Sequence, residues 1–111
     1  MKYQLNDCGV CTNPEIVFCS EAHGLAWNYI QIELASWNGK WDYGLCYCGG
    51  ATPCCPKLGK YQSREDALNS AISYLLDREK RSEGLLNGAM RQKPYDDFHR
   101  WLESRNQLAL F

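Results

Sequence analysis

Alternating apolar and polar residues are clearest in the stretch WNYIQIELASWNGKWDYGLCYCGG, residues 27–50, where two β-rich runs flank Asn38-Gly39. An Asn-Gly pair favours a type I′ turn, because both central residues of that turn have positive φ. The pattern therefore predicts a β-hairpin over about residues 27–48.

The register of the hairpin follows from a two-residue turn, which predicts four pairs across the strands: Trp37–Lys40, Leu34–Tyr43, Ile32–Leu45 and Ile30–Tyr47. Residues that pair directly share a face of the sheet. One face is therefore the predicted core face, with Ile30, Ile32, Leu34, Trp41, Tyr43, Leu45 and Tyr47. The opposite face carries Tyr29, Gln31, Glu33, Trp37, Asp42, Cys46 and Cys48.

Two further strands are predicted before the hairpin. EIVFCS, residues 15–20, is rich in β-branched and aromatic residues, and KYQL, residues 2–5, is a shorter candidate. No strand is predicted in the loop GGATPCCPKLGKYQ, residues 49–62, that follows the hairpin.

Helical periodicity dominates the second half of the chain. Ser63 ahead of Glu65 and Asp66 is typical of a helix start and predicts a helix over about 63–80. The apolar stripe of this helix consists of Ala67, Leu68, Ala71, Ile72, Leu75 and Leu76.

Pro94 is suited to the first turn of a second helix, predicted over about 95–106, with Phe98, Trp101 and Leu102 on its inner face. Strands followed by helices indicate an α+β domain, in which two helices cover one side of a small antiparallel sheet.

Length and composition agree with one domain. The chain has 111 residues, 45% of them hydrophobic, and a formal net charge of −1, which gives no overall attraction to nucleic acid. We interpret residues 1–106 as one α+β domain with a Cys-rich N-terminal half and 107–111 as a separate recognition tail.

No apolar run approaches the ~20 residues that span a bilayer, and residues 1–11 lack the order of basic, apolar and small residues that a signal peptide has. We therefore expect a cytoplasmic protein with no membrane contact.

All seven cysteines lie in the first 55 residues. An odd number of thiols in a reducing cytosol favours metal ligation or buried small side chains over disulfides. Cys8 and Cys11 in CGVC have the spacing of a zinc knuckle, and with Cys19 and His23 they make the predicted zinc site. The remaining ligands could instead come from the end of the hairpin and the loop after it, namely Cys46, Cys48, Cys54 or Cys55.

Catalytic motifs are scarce. Cys8 with His23 could form a thiol-dependent enzyme, but no further nucleophile, base and orienting acid stand out, so we predict a protein that is not an enzyme. Tyr29, Trp37 and Trp27 could stack on nucleic-acid bases. Basic residues do not alternate with these aromatics, so contact with the core or with a protein partner is the favoured role, and direct nucleic-acid binding stays an open alternative.

The last five residues, QLALF, resemble the peptide with which bacterial replication and repair proteins bind the β sliding clamp of DNA polymerase III. Four specified residues in this order at one fixed place would arise by chance in about one chain in 10⁴ to 10⁵. The resemblance covers only these five residues. The competing interpretation is that the second helix continues, so that Leu108 and Phe111 extend its inner face.

The resemblance implies a role for each residue of the pentapeptide. Leu110 and Phe111 would fill the main hydrophobic pocket of the clamp, Leu108 a neighbouring subsite, and Gln107 would hydrogen-bond at the mouth of the pocket. Ala109 matches the variable position. We therefore expect a small non-enzymatic protein, encoded by a phage or another mobile element, that binds the host clamp and modulates replication or is recruited to it. The alternative is a zinc-stabilised module that binds nucleic acid or protein through the opposite face of the hairpin.

Overall fold

A computed structural model of the chain describes residues 2–21, 28–47, 50–82 and 88–109. Its sheet has four antiparallel strands, each hydrogen-bonded to the next one along the chain. The bounds of the strands are β1 Glu15–Cys19, β2 Gln31–Trp37, β3 Lys40–Tyr47 and β4 Gly50–Thr52. The helices are α1 Arg64–Ser82 and α2 Gly88–Ala109, with a short 3-10 turn at Pro56–Leu58 before α1. The predicted α+β class is thus confirmed.

The central hairpin has the predicted register. Trp37 pairs with Lys40, Leu34 with Tyr43 and Ile32 with Leu45. Asn38 and Gly39 both have positive φ, as a type I′ turn requires. The ladder between β2 and β3 ends at Gln31 and Cys46, so the fourth predicted pair, Ile30 with Tyr47, lies one step beyond it.

The strand predictions for the flanking segments were partly right. EIVFCS contains β1, which pairs with β2 through a register shift between Ile16 and Phe18. KYQL was wrong as a strand, because within 2–5 only Leu5 makes an isolated bridge, to Cys11. Strand β4 was not predicted, since three residues, Gly-Ala-Thr, are too few to show an alternating pattern.

The main core lies between the helices and one face of the sheet. Its fully buried members are Ile30, Ile32, Leu34, Leu45, Ala67, Leu68, Ala71, Leu75 and Phe98. Trp41, Tyr43 and Tyr47 are partly buried against it, which confirms the predicted core face of the hairpin. Phe18, which pairs with Ile32, brings β1 to α2: its ring centroid lies 5.9 Å from that of Phe98 and 5.0 Å from that of Trp101.

Helix α1 begins as predicted, with the Ser63 hydroxyl accepting a hydrogen bond from the backbone N–H of Asp66 at 3.1 Å. Its predicted buried stripe holds except at Leu76, which is 37% exposed. The stripe is centred on Leu68, Ala71 and Leu75, and Leu76 is rotated by about 100° from Leu75 toward solvent.

Helix α2 is longer than predicted at both ends, and Pro94 lies inside it instead of in its first turn. Proline removes one backbone hydrogen bond, to the carbonyl four residues earlier. Pro94 is fully buried beside the buried Tyr95, so packing of its ring offsets that loss. Within the described residues, no helix is long and apolar enough to cross a membrane.

Candidate functional site

The C-terminal segment QLALF, which the sequence predicts to be a recognition peptide, begins in the last turn of α2. Gln107, Leu108 and Ala109 are helical, whereas Leu110 and Phe111 lie outside the described residues. One turn earlier, the Arg105 guanidinium lies 5.0 Å from the centre of the Trp101 ring and 3.9 Å from a carboxylate oxygen of Glu65. Glu65 is the second residue of α1, so α2 has reached the start of α1 before the peptide begins.

The four residues predicted to hold zinc are not gathered in one place by the described part of the chain. Cys8 is exposed, Cys11 is buried, and Cys19 is exposed at the end of β1, while His23 lies outside the described residues. Cys19 pairs with Gln31, whereas Cys11 belongs to the buried cluster of Ala35. These two positions on β2 are four residues, about 13 Å, apart. Among the residues that the structure describes, no three His, Cys, Asp or Glu side chains are arranged to hold a metal ion.

The CGVC segment forms a tight turn. The Asn6 side-chain oxygen accepts hydrogen bonds from the backbone N–H of Cys8 at 2.9 Å and of Val10 at 3.0 Å. Gly9 has a φ of +83°, a conformation that glycine adopts without strain. The turn therefore places Cys8 at its exposed tip and Cys11 at its buried base.

A second pair of cysteines meets this turn. The backbone N–H of Cys11 donates a hydrogen bond of 2.8 Å to the carbonyl of Cys54. The two side chains, with Ala35, form a small buried cluster on the opposite face of the sheet, against which Tyr3 and Leu5 pack. We call Cys8, Cys11, Cys54 and Cys55 the thiol cluster. All six described cysteines are free thiols.

Glycine in β3 makes room for this arrangement. A Cβ placed on Gly44 would lie 2.9 Å from both the Cβ and the backbone nitrogen of Cys54, closer than such atoms approach in proteins. The loop from Thr52 to Pro56 therefore lies directly on the sheet. Cys54 and Cys55 were among the possible partners predicted for Cys8 and Cys11, but no local pattern identifies them, because the contact joins segments about 45 residues apart.

Electrostatics favours the neutral thiol at Cys54 and at Cys55. Burial, followed by the nearby Asp42 carboxylate, raises the pKa of both Cys54 and Cys55 above the ordinary range of thiols. Cys8 also contributes to the raised pKa of Cys55, so the tip of the turn lies near the second pair. Burial likewise raises the pKa of Asp42, whose side chain accepts a hydrogen bond of 2.8 Å from the backbone N–H of Cys55. Cys54 and Cys55 are therefore poor nucleophiles at neutral pH.

The thiol-dependent enzyme that we considered depends on Cys8 and His23, and the second of these lies outside the described residues. The other histidine, His99, links the two helices: its Nε2 lies 2.7 Å from a carboxylate oxygen of Glu79. It is therefore a contact between helices.

The opposite face of the hairpin, where stacking on nucleic-acid bases was left as an open alternative, is partly covered in the structure. Ala35 and Gly44 on this face are buried by the turn and the loop that carry the thiol cluster. The Trp37 ring is in contact with the Lys57 ammonium, 5.4 Å from its centre. Tyr29 is partly buried, and Trp27 lies outside the described residues. A face that is already covered in its middle offers little room for stacked bases.

An open polar groove of about 700 Å³ lies along α1, lined in part by Tyr43, Tyr61, Tyr74 and Asp66. The rings of Tyr43 and Tyr61 pack against each other with centroids 5.9 Å apart. Burial, together with the neighbouring Tyr61, raises the pKa of Tyr43, so its hydroxyl stays protonated. The groove was not predicted, because its residues come from β3, the loop 60–62 and α1.

No family model, no curated protein and no solved structure matches this chain. The functional proposal therefore rests on the chain's own residues.

Proposed function

We propose that this protein binds the β sliding clamp of bacterial DNA polymerase III through residues 107–111. The observation that carries the proposal is the peptide itself, in which Gln107, Leu108, Leu110 and Phe111 match the four specified positions of the clamp-binding pattern. Ala109 fits the variable position.

The position of the peptide on the fold supports its availability. The inner face of α2 packs on the core at Tyr95, Phe98, Trp101 and Leu102, and Arg105 has already reached the first turn of α1. The four helical residues after Arg105 add about 6 Å to the helix in the same direction. The last four carbonyls of a helix have no partners inside it, so its final turn opens at low cost.

Binding would then require the last turn to unwind. Gln107 to Ala109 would leave the helix, so that the five residues could lie in the clamp groove as an extended peptide. Two leucines and one phenylalanine that enter preformed pockets contribute roughly 1.5 to 3 kcal/mol each. Ordering of the segment and loss of free rotation oppose this gain, so we expect a dissociation constant in the micromolar range, about 8 kcal/mol.

The function that follows is that of a non-enzymatic adaptor. Since the clamp is a ring of identical subunits, more than one copy of the protein could bind, and each would compete with host proteins for the same pocket. The small size and the host-directed peptide fit a protein encoded by a phage or another mobile element. Its effect would be to modulate replication or to be recruited to it.

Calorimetry with purified bacterial clamp tests the proposal. The wild-type chain should bind, and both Phe111→Ala and a truncation of the last five residues should abolish binding without lowering the temperature of unfolding. Leu58→Ala is the matched control, because Leu58 is a large apolar residue that is 77% exposed and distant in sequence from the peptide. A labelled peptide from a host clamp-binding protein should be displaced by wild type and by Leu58→Ala, but not by Phe111→Ala.

Two results would contradict the proposal. One is the absence of binding between the wild-type chain and the clamp. The other is unfolding of the domain by Phe111→Ala, which would assign the last residues to the core of the protein.

A further inference from the structure

We propose that Cys8, Cys11, Cys54 and Cys55 form a tetrathiolate site for a soft divalent cation, with zinc as the expected metal. Thiolate ligands select zinc among the abundant divalent ions, and four of them complete its tetrahedral shell. The site would lie between the CGVC turn and the loop on the opposite face of the sheet. It is independent of clamp binding.

The backbone already brings the two cysteine pairs together. The hydrogen bond from Cys11 N–H to the Cys54 carbonyl fixes one pair against the other at 2.8 Å. The Asn6 side chain holds the turn through the N–H groups of Cys8 and Val10. On the other side, the Asp42 carboxylate accepts the Cys55 N–H at 2.8 Å. Both segments are thus positioned by contacts that do not involve any sulfur.

Packing explains only half of the thiol cluster. Cys11 and Cys54 are buried and could serve as small apolar residues. Cys8 is exposed and Cys55 is partly exposed, so neither contributes much burial. A metal site accounts for all four, because an ion at the rim of the small cluster would use two buried and two outer sulfurs. The same ion would stabilise a layer whose apolar contacts are few.

In the structure as it stands, no three of these described thiols are arranged to hold a metal ion, so binding requires the side chains to rearrange. In the structure, the Cys11 thiol lies 3.5 Å from the Asn13 side-chain oxygen and the Cys54 thiol lies 3.5 Å from the Asp42 carbonyl. Rotation about χ1 would turn both sulfurs from these acceptors toward the ion. Four S–H bonds would lose their protons to solvent as four metal–sulfur bonds form, so the site would release four protons for each divalent ion bound.

Metal analysis of the full chain, purified without chelators from cells grown with zinc, is the first test. Wild type should carry about one zinc per chain. Cys54→Ser and Cys55→Ser should each lose most of it, whereas Cys19→Ser should keep it. Cys19 is the control because it belongs to the ligand set first predicted from the sequence, with His23, and lies at the end of β1. Loss of zinc in Cys19→Ser with retention in Cys55→Ser would overturn the proposal.

Cobalt(II) binding to the wild-type chain is a second test, which is needed if a serine variant fails to fold. Wild type stripped of metal and titrated with cobalt(II) should develop thiolate-to-cobalt charge-transfer absorption that saturates at one equivalent. Cys55→Ser should bind cobalt more weakly and, at saturating cobalt, should give about three quarters of this absorption, as expected for three thiolates instead of four. Absence of the band in wild type would overturn the site.

Discussion

The two faces of the sheet are closed in different ways. One face packs on two helices through large aliphatic and aromatic side chains, with Ile32, Leu34 and Phe98 fully buried. The other is covered by the CGVC turn and by the loop and short 3-10 turn that follow β4, and its buried cluster consists of Cys11, Ala35 and Cys54. The first face is thus stabilised by burial of apolar surface. The second depends on backbone hydrogen bonds, close approach and, as we propose, a metal ion.

The largest expected effect lies on the helix-covered face. Ile32→Ala or Leu45→Ala should lower the free energy of unfolding by roughly 2 to 5 kcal/mol, because each removes apolar atoms from a fully buried site and leaves a cavity. Chemical denaturation measures the loss. Gln31→Ala is the control on the opposite face, next to Ile32 in sequence, and should change stability by less than about 0.5 kcal/mol. Equal losses of stability for Gln31→Ala and Ile32→Ala would show that the two faces do not differ in how they are stabilised.

An intermediate effect is expected where the loop lies on β3. Gly44→Ala should destabilise by about 1 to 3 kcal/mol, since its new methyl group would collide with Cys54 and push the loop outward. Faster labelling of Cys54 by a thiol reagent should accompany this loss.

Gly39→Ala is the matched substitution in the same hairpin, with φ at +80° and no atom within 4 Å of the added Cβ. It should cost about 1 to 2 kcal/mol through backbone strain alone and leave the labelling rate of Cys54 unchanged. If Gly44→Ala labels as slowly as wild type, the loop does not rest on β3.

The smallest effect should come from the ion pair that joins the sheet to the start of α1. Arg64 contacts both carboxylate oxygens of Glu15, at 2.6 and 3.0 Å, and this bond holds the pKa of Glu15 below its ordinary value. Because the pKa is lower in the folded state, the stabilisation is complete above the unfolded pKa of about 4.3. It disappears as the pH falls through the lower folded value.

Glu15→Gln should therefore cost up to about 1 kcal/mol at neutral pH, a modest value because both side chains are more than one third exposed. The difference from wild type should vanish in strong acid. Asp77→Asn, which breaks the more exposed pair with Arg81 within α1, should have a smaller effect than Glu15→Gln at neutral pH. A loss at Glu15 that does not depend on pH would mean that the side chain acts through packing and not through charge.

The sequence predicted the helix-covered face of the sheet more completely than the opposite face. Asn38-Gly39 and the alternation around it predicted the hairpin, its register and the helix-covered face, because these follow from local turn chemistry and a period of two. The prediction for the opposite face was incomplete, because the close contact of Gly44 with Cys54 joins segments that share no local pattern. Pro94 was predicted in the first turn of a helix, where a proline costs no hydrogen bond. It lies inside α2 instead, where packing of its buried ring compensates for the hydrogen bond that is lost.

The candidate sites divide in the same manner. The proposed clamp-binding role of the tail comes from the sequence alone, because a recognition peptide is contiguous and its chemistry would be visible in five residues. The thiol cluster is assembled from residues 8, 11, 54 and 55, and only the fold brings these residues together. Sequence could give the CGVC spacing and a set of possible partners, but the choice between Cys19 and the pair Cys54 and Cys55 depends on which strand end each one occupies.

The edges of the sheet bear on how the protein behaves at high concentration. An edge strand with a regular row of free backbone groups is a template for another chain, and such pairing leads to fibres. Here β1, at one edge, is interrupted by the register shift between Ile16 and Phe18, while β4, at the other, has only three residues. Neither offers a long, flat row to a neighbouring molecule. The protein should therefore resist self-association through strand addition, even though Ile16 leaves an apolar side chain half exposed on the edge.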